Sequence, residues 1–144
     1  MGYSAVLFSN LQNEPGSKLI SLEINPLFSS MANSVIKLAG LDHIAESRLG
    51  TLEKLIEKLK REHDTFDFIF IDHAVVKFLP DLKLLEKFKM IHDETIIVAD
   101  NTIFPGAPEY LSYVKENYDT YFIDVVIKPD IKDQLSISKK RKRI

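Results

Sequence analysis

The sequence predicts an α/β fold in which a mostly parallel sheet is covered by helices and closes with an antiparallel hairpin. Short runs dense in Ile, Val and Phe alternate with amphipathic stretches, the pattern of strands buried on both faces between helices. Near the C-terminus two strand-like runs, 118–127 and 133–139, are joined by only KPDIK, too short for a helical crossover.

The elements follow in order. Residues 18–24 (KLISLEI) form the first expected strand. Asn25 can cap the next helix and Pro26 suits its first turn, where the missing N–H costs nothing. Phe28, Met31, Val35 and Leu38 repeat at helical spacing as a face for packing on a sheet, and Gly40 is a natural left-handed terminator. A strand over 43–49 leads to a helix with Leu52, Leu55, Ile56 and Leu59 on one face and Lys and Glu on the other. The runs 66–72 (FDFIFID) and 95–100 (TIIVAD) are the most apolar and are expected at the centre of the sheet. Between them a helix over 81–90 turns Leu82, Leu85 and Phe88 inward, and a helix over 107–117 follows the 95–100 run, with Pro105 and Pro108 bracketing its entrance.

A chain of 144 residues with 45% apolar and 28% charged residues suits one domain spanning 1–144. The absence of cysteine removes disulfides, thiolate metal sites and thiol nucleophiles. A net charge of -2 and a pI near 6.1 argue against a nucleic-acid binder. The one run of like charge, Lys139, Lys140, Arg141, Lys142 and Arg143, reads either as a nuclear-import or polyanion patch or as a solvated tail guarding an edge strand. No apolar stretch approaches the roughly 18 residues needed to span a bilayer, and no secretory leader is evident, so a cytoplasmic protein without membrane contact is expected.

In open α/β sheets ligands bind beyond the carboxyl ends of the strands. Glu23 ends the first run, where an acidic residue either accepts bonds from ribose hydroxyls or is simply an exposed carboxylate. Asp72 ends FDFIFID, and Asp100 with Asn101 ends TIIVAD. If those strands are neighbours, two carboxylates and an amide oxygen form a hard, incomplete oxygen set that suits Mg²⁺ better than Zn²⁺. Each aspartate is also an ordinary helix cap. His73 could be a ligand, a base or a ring packed beside a cofactor, whereas His43, His63 and His92 form no ligand spacing and are expected to be solvated.

Taken together, GYSAV at 2–6, ISLEINP at 20–26, FIDH at 70–73, FLPD at 78–81 and IIVADNTIFPGAPEYLSYV at 96–114 resemble the catechol O-methyltransferase family in order and spacing. The resemblance implies a class I, Rossmann-like methyltransferase sheet with the C-terminal hairpin, and an S-adenosylmethionine- and Mg²⁺-dependent transfer of methyl to a hydroxyl of a catechol-like small molecule. Carried over by position, Gly2, Tyr3 and Ser4 would lie beside the methionine part of the cofactor, Glu23 would hold the ribose hydroxyls, and Ile24 and His73 would flank the adenine next to Asp72. Asp72, Asp100 and Asn101 would bind Mg²⁺, with Asn101 and Pro105 also facing the substrate.

The chain departs from that family in four places. Ala74 and Val75 stand where the family has tryptophan and its lysine base, which leaves Lys77 as a displaced substitute. Ile127 aligns with the carboxylate that grips the second catechol hydroxyl, for which Asp124 and Asp130 are the nearby replacements. Leu52 and Glu53 follow Gly50 and Thr51 where the adenine pocket has serine and glutamine. The sequence also starts at the end of the cofactor loop, so the family's first strand and preceding helices are expected to be missing, making this a partial domain. The strands flanking that gap would then carry unpaired backbone groups, open to re-pairing or to self-association. An inactive remnant serving as a binding or interaction module is the alternative. A nicotinamide oxidoreductase also explains Glu23 but lacks G-x-G-x-x-G and does not expect the hairpin.

Overall fold

The computed structural model describes residues 2–12, 14–128 and 131–141. Its elements are α1 (Tyr3–Asn10), β1 (Leu19–Glu23), α2 (Pro26–Leu38), β2 (Ala45–Leu49), α3 (Leu52–Glu62), β3 (Phe66–Ile71), α4 (Phe78–Lys87), β4 (Ile91–Ala99), α5 (Pro108–Asn117), β5 (Tyr118–Lys128) and β6 (Ile131–Lys140). A 3₁₀ turn at Val75–Lys77 precedes α4, and a π-type turn at Thr102–Gly106 precedes α5. The chain divides into two compact units, 1–55 and 56–144. No helix among the described residues is long and apolar enough to cross a membrane.

In the first unit β1 and β2 pair in parallel, from Leu19 opposite Ala45 to Glu23 opposite Leu49. Asn25 caps α2 as expected, its side chain accepting the N–H groups of Leu27 at 2.9 Å and Phe28 at 3.2 Å. Gly40, at φ 73°, follows the helix end in the left-handed conformation that its lack of a side chain permits. Helix α1 was not expected. Its cap, Gly2, sits at φ 76° with a would-be Cβ only 3.2 Å from the Ala32 Cα, so both backbone strain and close packing require glycine there.

The orientation of α2 corrects the sequence reading. Phe28, Met31, Val35 and Leu38 are 36%, 46%, 41% and 89% exposed, and the buried residues are Ser29, Ala32 and Ile36. The reason is local hydrogen bonding rather than apolar area. Asn33 donates to the Ser47 carbonyl at 2.9 Å and accepts the Ser47 N–H at 2.7 Å, which satisfies both groups on β2 much as a neighbouring strand would. The Ser29 and Ser47 hydroxyls meet beside it at 3.1 Å. Small residues on this face permit that approach, and Ile36 joins Ala5 and Ala45 in the core.

The second unit holds a four-stranded sheet in the order β3-β4-β6-β5. β3 and β4 are parallel, whereas β6 runs antiparallel to β4 and to β5, which is the expected hairpin. Of the two strands expected at the centre, β4 is internal and β3 ends its ladder. Phe78, Leu82 and Leu85 of α4 are buried, as are Tyr110 and Val114 of α5, and Phe78 meets Tyr110 edge-on at 5.6 Å between centroids. Glu86 accepts the hydroxyls of Tyr113 at 2.7 Å and Tyr118 at 2.6 Å.

One surface expectation changes. Lys139 and Lys140 belong to β6, an internal strand, rather than to a solvated tail beside an edge. Lys139 pairs with Glu94, and Arg141 bonds Asp119 at 3.1 Å and the carbonyls of Glu116 and Lys115. Lys142 and Arg143 lie outside the described residues. His92 stays partly exposed, as expected, with its Nε2 2.9 Å from the exposed Asp67 carboxylate on the neighbouring strand.

Candidate functional site

Parallel pairing between β3 and β4 brings the expected acidic residues together. Ile71 is the register partner of Ala99, and the Asp100 N–H donates to the Ile71 carbonyl at 3.0 Å. Asp72 and Asp100 are the next residues on each strand, so they leave the sheet side by side, about 4.8 Å apart in backbone spacing. Partial desolvation of the exposed Asp72 carboxyl raises it from its ordinary value, the Asp100 carboxylate adds to that rise, and His73 opposes it. No Lys or Arg among the described residues forms an ion pair with either.

Asn101 completes the cluster from a left-handed conformation, φ 56° and ψ 36°, which asparagine tolerates better than most residues. Its N–H donates to Asp100 Oδ1 at 2.7 Å, fixing that carboxylate. Its side-chain Nδ2 donates to Asp133 Oδ2 at 2.9 Å. Among the described residues no three His, Cys, Asp or Glu side chains are grouped to hold a metal ion. Two carboxylates therefore need the Asn101 amide oxygen as a third protein ligand, and that oxygen accepts no hydrogen bond among the described residues. Such a set fits a hard divalent cation with open positions.

The turn after Asn101 presents Ile103 and Phe104, 52% and 54% exposed, followed by exposed Pro105. An apolar surface thus adjoins the acidic pair. Thr102 is buried beneath it and anchors the turn to β6, its hydroxyl donating to the Gln134 carbonyl at 2.6 Å.

His73 is committed to α4: Nε2 is 2.8 Å from Asp81 Oδ2, and the ring lies 5.3 Å from that of Phe78. Lys77 closes the 3₁₀ turn, exposed and bound to the Ala74 carbonyl through its backbone N–H. Asp124 accepts the Gln134 side-chain amide at 2.9 Å, while Asp130 and the Ile127 side chain lie outside the described residues.

The remaining expected residues belong to the first unit. Gly2, Tyr3 and Ser4 open α1, where helix N–H groups lack intrahelical partners. Glu23 ends β1 with Oε1 taking the Asn25 N–H at 2.8 Å, and its other oxygen has no donor among the described residues. Ile24 beside it is 71% exposed, an apolar side chain open to a ligand at a strand end.

Asp133 is the residue that sequence reasoning missed. It is 2% exposed on β6 and accepts four N–H groups, from Asn101, Ile103, Phe104 and Gln134. The available signal was an aspartate as the first residue of the strand-like run 133–139, where its propensity is poor.

A family model described as O-methyltransferase matches residues 1–125. Catechol O-methyltransferase of Bos taurus is 38% identical over 118 residues, 81% of this chain and 43% of that protein. Catechol O-methyltransferase B of Danio rerio is 40% identical over 119 residues, 81% of this chain and 44% of its own length. The chain thus spans less than half the length of these curated relatives. Among solved structures, the O-methyltransferase from Bacillus cereus in complex with SAH superposes with a TM-score of 0.83 at 19% identity, covering 97% of this chain and 70% of that one.

Proposed function

This chain belongs to the O-methyltransferase family and has its class I, Rossmann-like α/β fold, and on that premise we propose that it transfers methyl from S-adenosylmethionine to a hydroxyl of a catechol-like small molecule, with Mg²⁺. The observation that carries the reading is the β3–β4 register, which sets Asp72 beside Asp100 with Asn101 one residue on. These three residues would hold Mg²⁺, which when bound lowers the pKa of a hydroxyl placed against it. Gly2, Tyr3, Ser4, Glu23 and Ile24 would hold the cofactor. SAH, the demethylated product of that cofactor, is what the Bacillus cereus structure contains.

The chain's own residues have separable tasks. Glu23, with one oxygen fixed by the Asn25 N–H, offers the other to a vicinal diol. Ile103, Phe104 and Pro105 exclude water on one side of an aromatic acceptor. Asp72 and Asp100 set the electrostatics that favour a cation, and positioning then supplies most of the acceleration. Lys77 is the nearest sequence substitute for the general base.

Calorimetric titration with S-adenosylmethionine and then Mg²⁺, followed by a methyl-transfer assay on catechol, tests the proposal. Heat from both ligands and transfer lost in Asp100→Ala are expected, and no heat from either would overturn it. A second reading, a binding module without catalysis, is favoured by Val75 in place of the lysine base and by Lys77 confined to a 3₁₀ turn. Cofactor binding without any methyl transfer would decide for it.

A further inference from the structure

The buried Asp133 decides which end of the Asn101 amide faces outward. Its Oδ1 accepts the backbone N–H groups of Ile103 at 3.1 Å, Phe104 at 3.1 Å and Gln134 at 2.7 Å, leaving Oδ2 for Asn101 Nδ2 at 2.9 Å. An ionised carboxylate has no proton to give, so only the NH₂ end of the amide can meet it. The amide oxygen is left on the other branch, where it accepts nothing among the described residues.

We infer that Asp133 is a positioning residue that fixes the flip of the Asn101 amide so that oxygen, not NH₂, faces a divalent cation held by Asp72 and Asp100. This rests on the cation reading proposed above. A flipped amide would not be a weaker ligand but an opposed one, because NH₂ turns its partial positive charge on the metal. Carboxylates and carbonyls that orient ligand groups in this way act without touching the ion.

Two substitutions separate orientation from simple support. Asp133→Asn is isosteric: its amide oxygen can replace Oδ1 and keep the three backbone bonds, while its NH₂ replaces Oδ2. Asn101 must then turn its oxygen toward position 133 and its NH₂ toward the cation. Combining Asn101→Asp with Asp133→Asn reverses the pair at the same net charge. The carboxylate at 101 accepts from the amide at 133 and still offers its second oxygen outward.

The test is calorimetric Mg²⁺ titration of the full wild-type chain, Asp100→Ala, Asp133→Asn and the double variant, with thermal unfolding of each. Expected are binding by wild type, none by Asp100→Ala, a loss of about 10- to 100-fold in affinity for Asp133→Asn with its unfolding transition retained, and recovery in the double variant. Wild-type binding with unchanged affinity in Asp133→Asn overturns the positioning role and leaves the cation reading standing. No binding by wild type overturns both. A loss in Asp133→Asn that the double variant does not recover makes Asp133 only a support and also overturns the inference. Should Asp133→Asn not fold, NMR of the wild-type Asn101 side-chain amide decides: one slowly exchanging, hydrogen-bonded proton is expected, and two freely exchanging protons contradict it.

Discussion

At the residue scale, Asp72 and Asp133 are opposites. Burial alone would raise the Asp133 carboxyl, but the bonds from Asn101, Phe104, Gln134 and Ile103 outweigh it and hold it below the ordinary range. A carboxylate with a lowered folded pKa stabilises the fold above its unfolded value, about 3.9, and that stability is lost as pH falls through the folded value. Acid denaturation below about pH 4 is therefore expected to be shallower in Asp133→Asn, as followed by circular dichroism. Asp72 has the contrary sign, because its raised carboxyl costs stability as pH rises through its folded value. Asp72→Asn is expected to raise the metal-free melting temperature slightly at pH 7 while removing any Mg²⁺-dependent rise, both measurable by calorimetry. That Asp72, Asp100 and Asn101 meet at neighbouring strand ends was legible, because apolar runs mark those ends. Asp133 was not, because its partner depends on β6 lying beside β4, which strand order alone decides.

At the element scale, helix α2 shows where periodicity misleads. The apolar repeat Phe28, Met31, Val35 and Leu38 predicted the helix and its caps, yet the face toward β2 is chosen by Asn33 and Ser29 bonding Ser47. Ile36→Ala, at a position 1% exposed, is expected to cost about 2–5 kcal/mol, against less than about 0.5 kcal/mol for Leu38→Ala at 89% exposure. Chemical denaturation of the two variants checks this, and equal losses would restore the sequence reading. The contact of α4 with α5 and β5 turns on Glu86. Burial, then Glu86 itself, pushes the Tyr113 hydroxyl up to about 12, and the more deeply buried Tyr118 is raised further. Glu86→Ala leaves the Tyr118 hydroxyl buried without its acceptor, an expected loss of about 1–3 kcal/mol by the same measurement.

At the scale of the whole molecule, the strands form two ladders, β1-β2 and β3-β4-β6-β5, and the family likeness extends over residues 1–125. Alternating apolar and amphipathic runs were enough to give the α/β class, and the short link after residue 127 gave the hairpin. The position of β3 at the end of its ladder was not legible from its apolarity, because a strand reads as buried whether a neighbour or a helix covers it. Helix α1 escaped notice because residues 3–10 carry no polar alternation to set a period. What joins these scales is the step from β4 into the turn at 102–106, where one register, one left-handed residue and one buried carboxylate shape the proposed cation site.

The most direct measurement is a crystal structure of the chain grown with Mn²⁺, located by its anomalous scattering. The expected result is a single strong peak bounded by Asp72, Asp100 and the Asn101 amide oxygen, with Asn101 Nδ2 still on Asp133. A well-ordered cluster with no peak, or a peak held by other residues, would contradict the assignment.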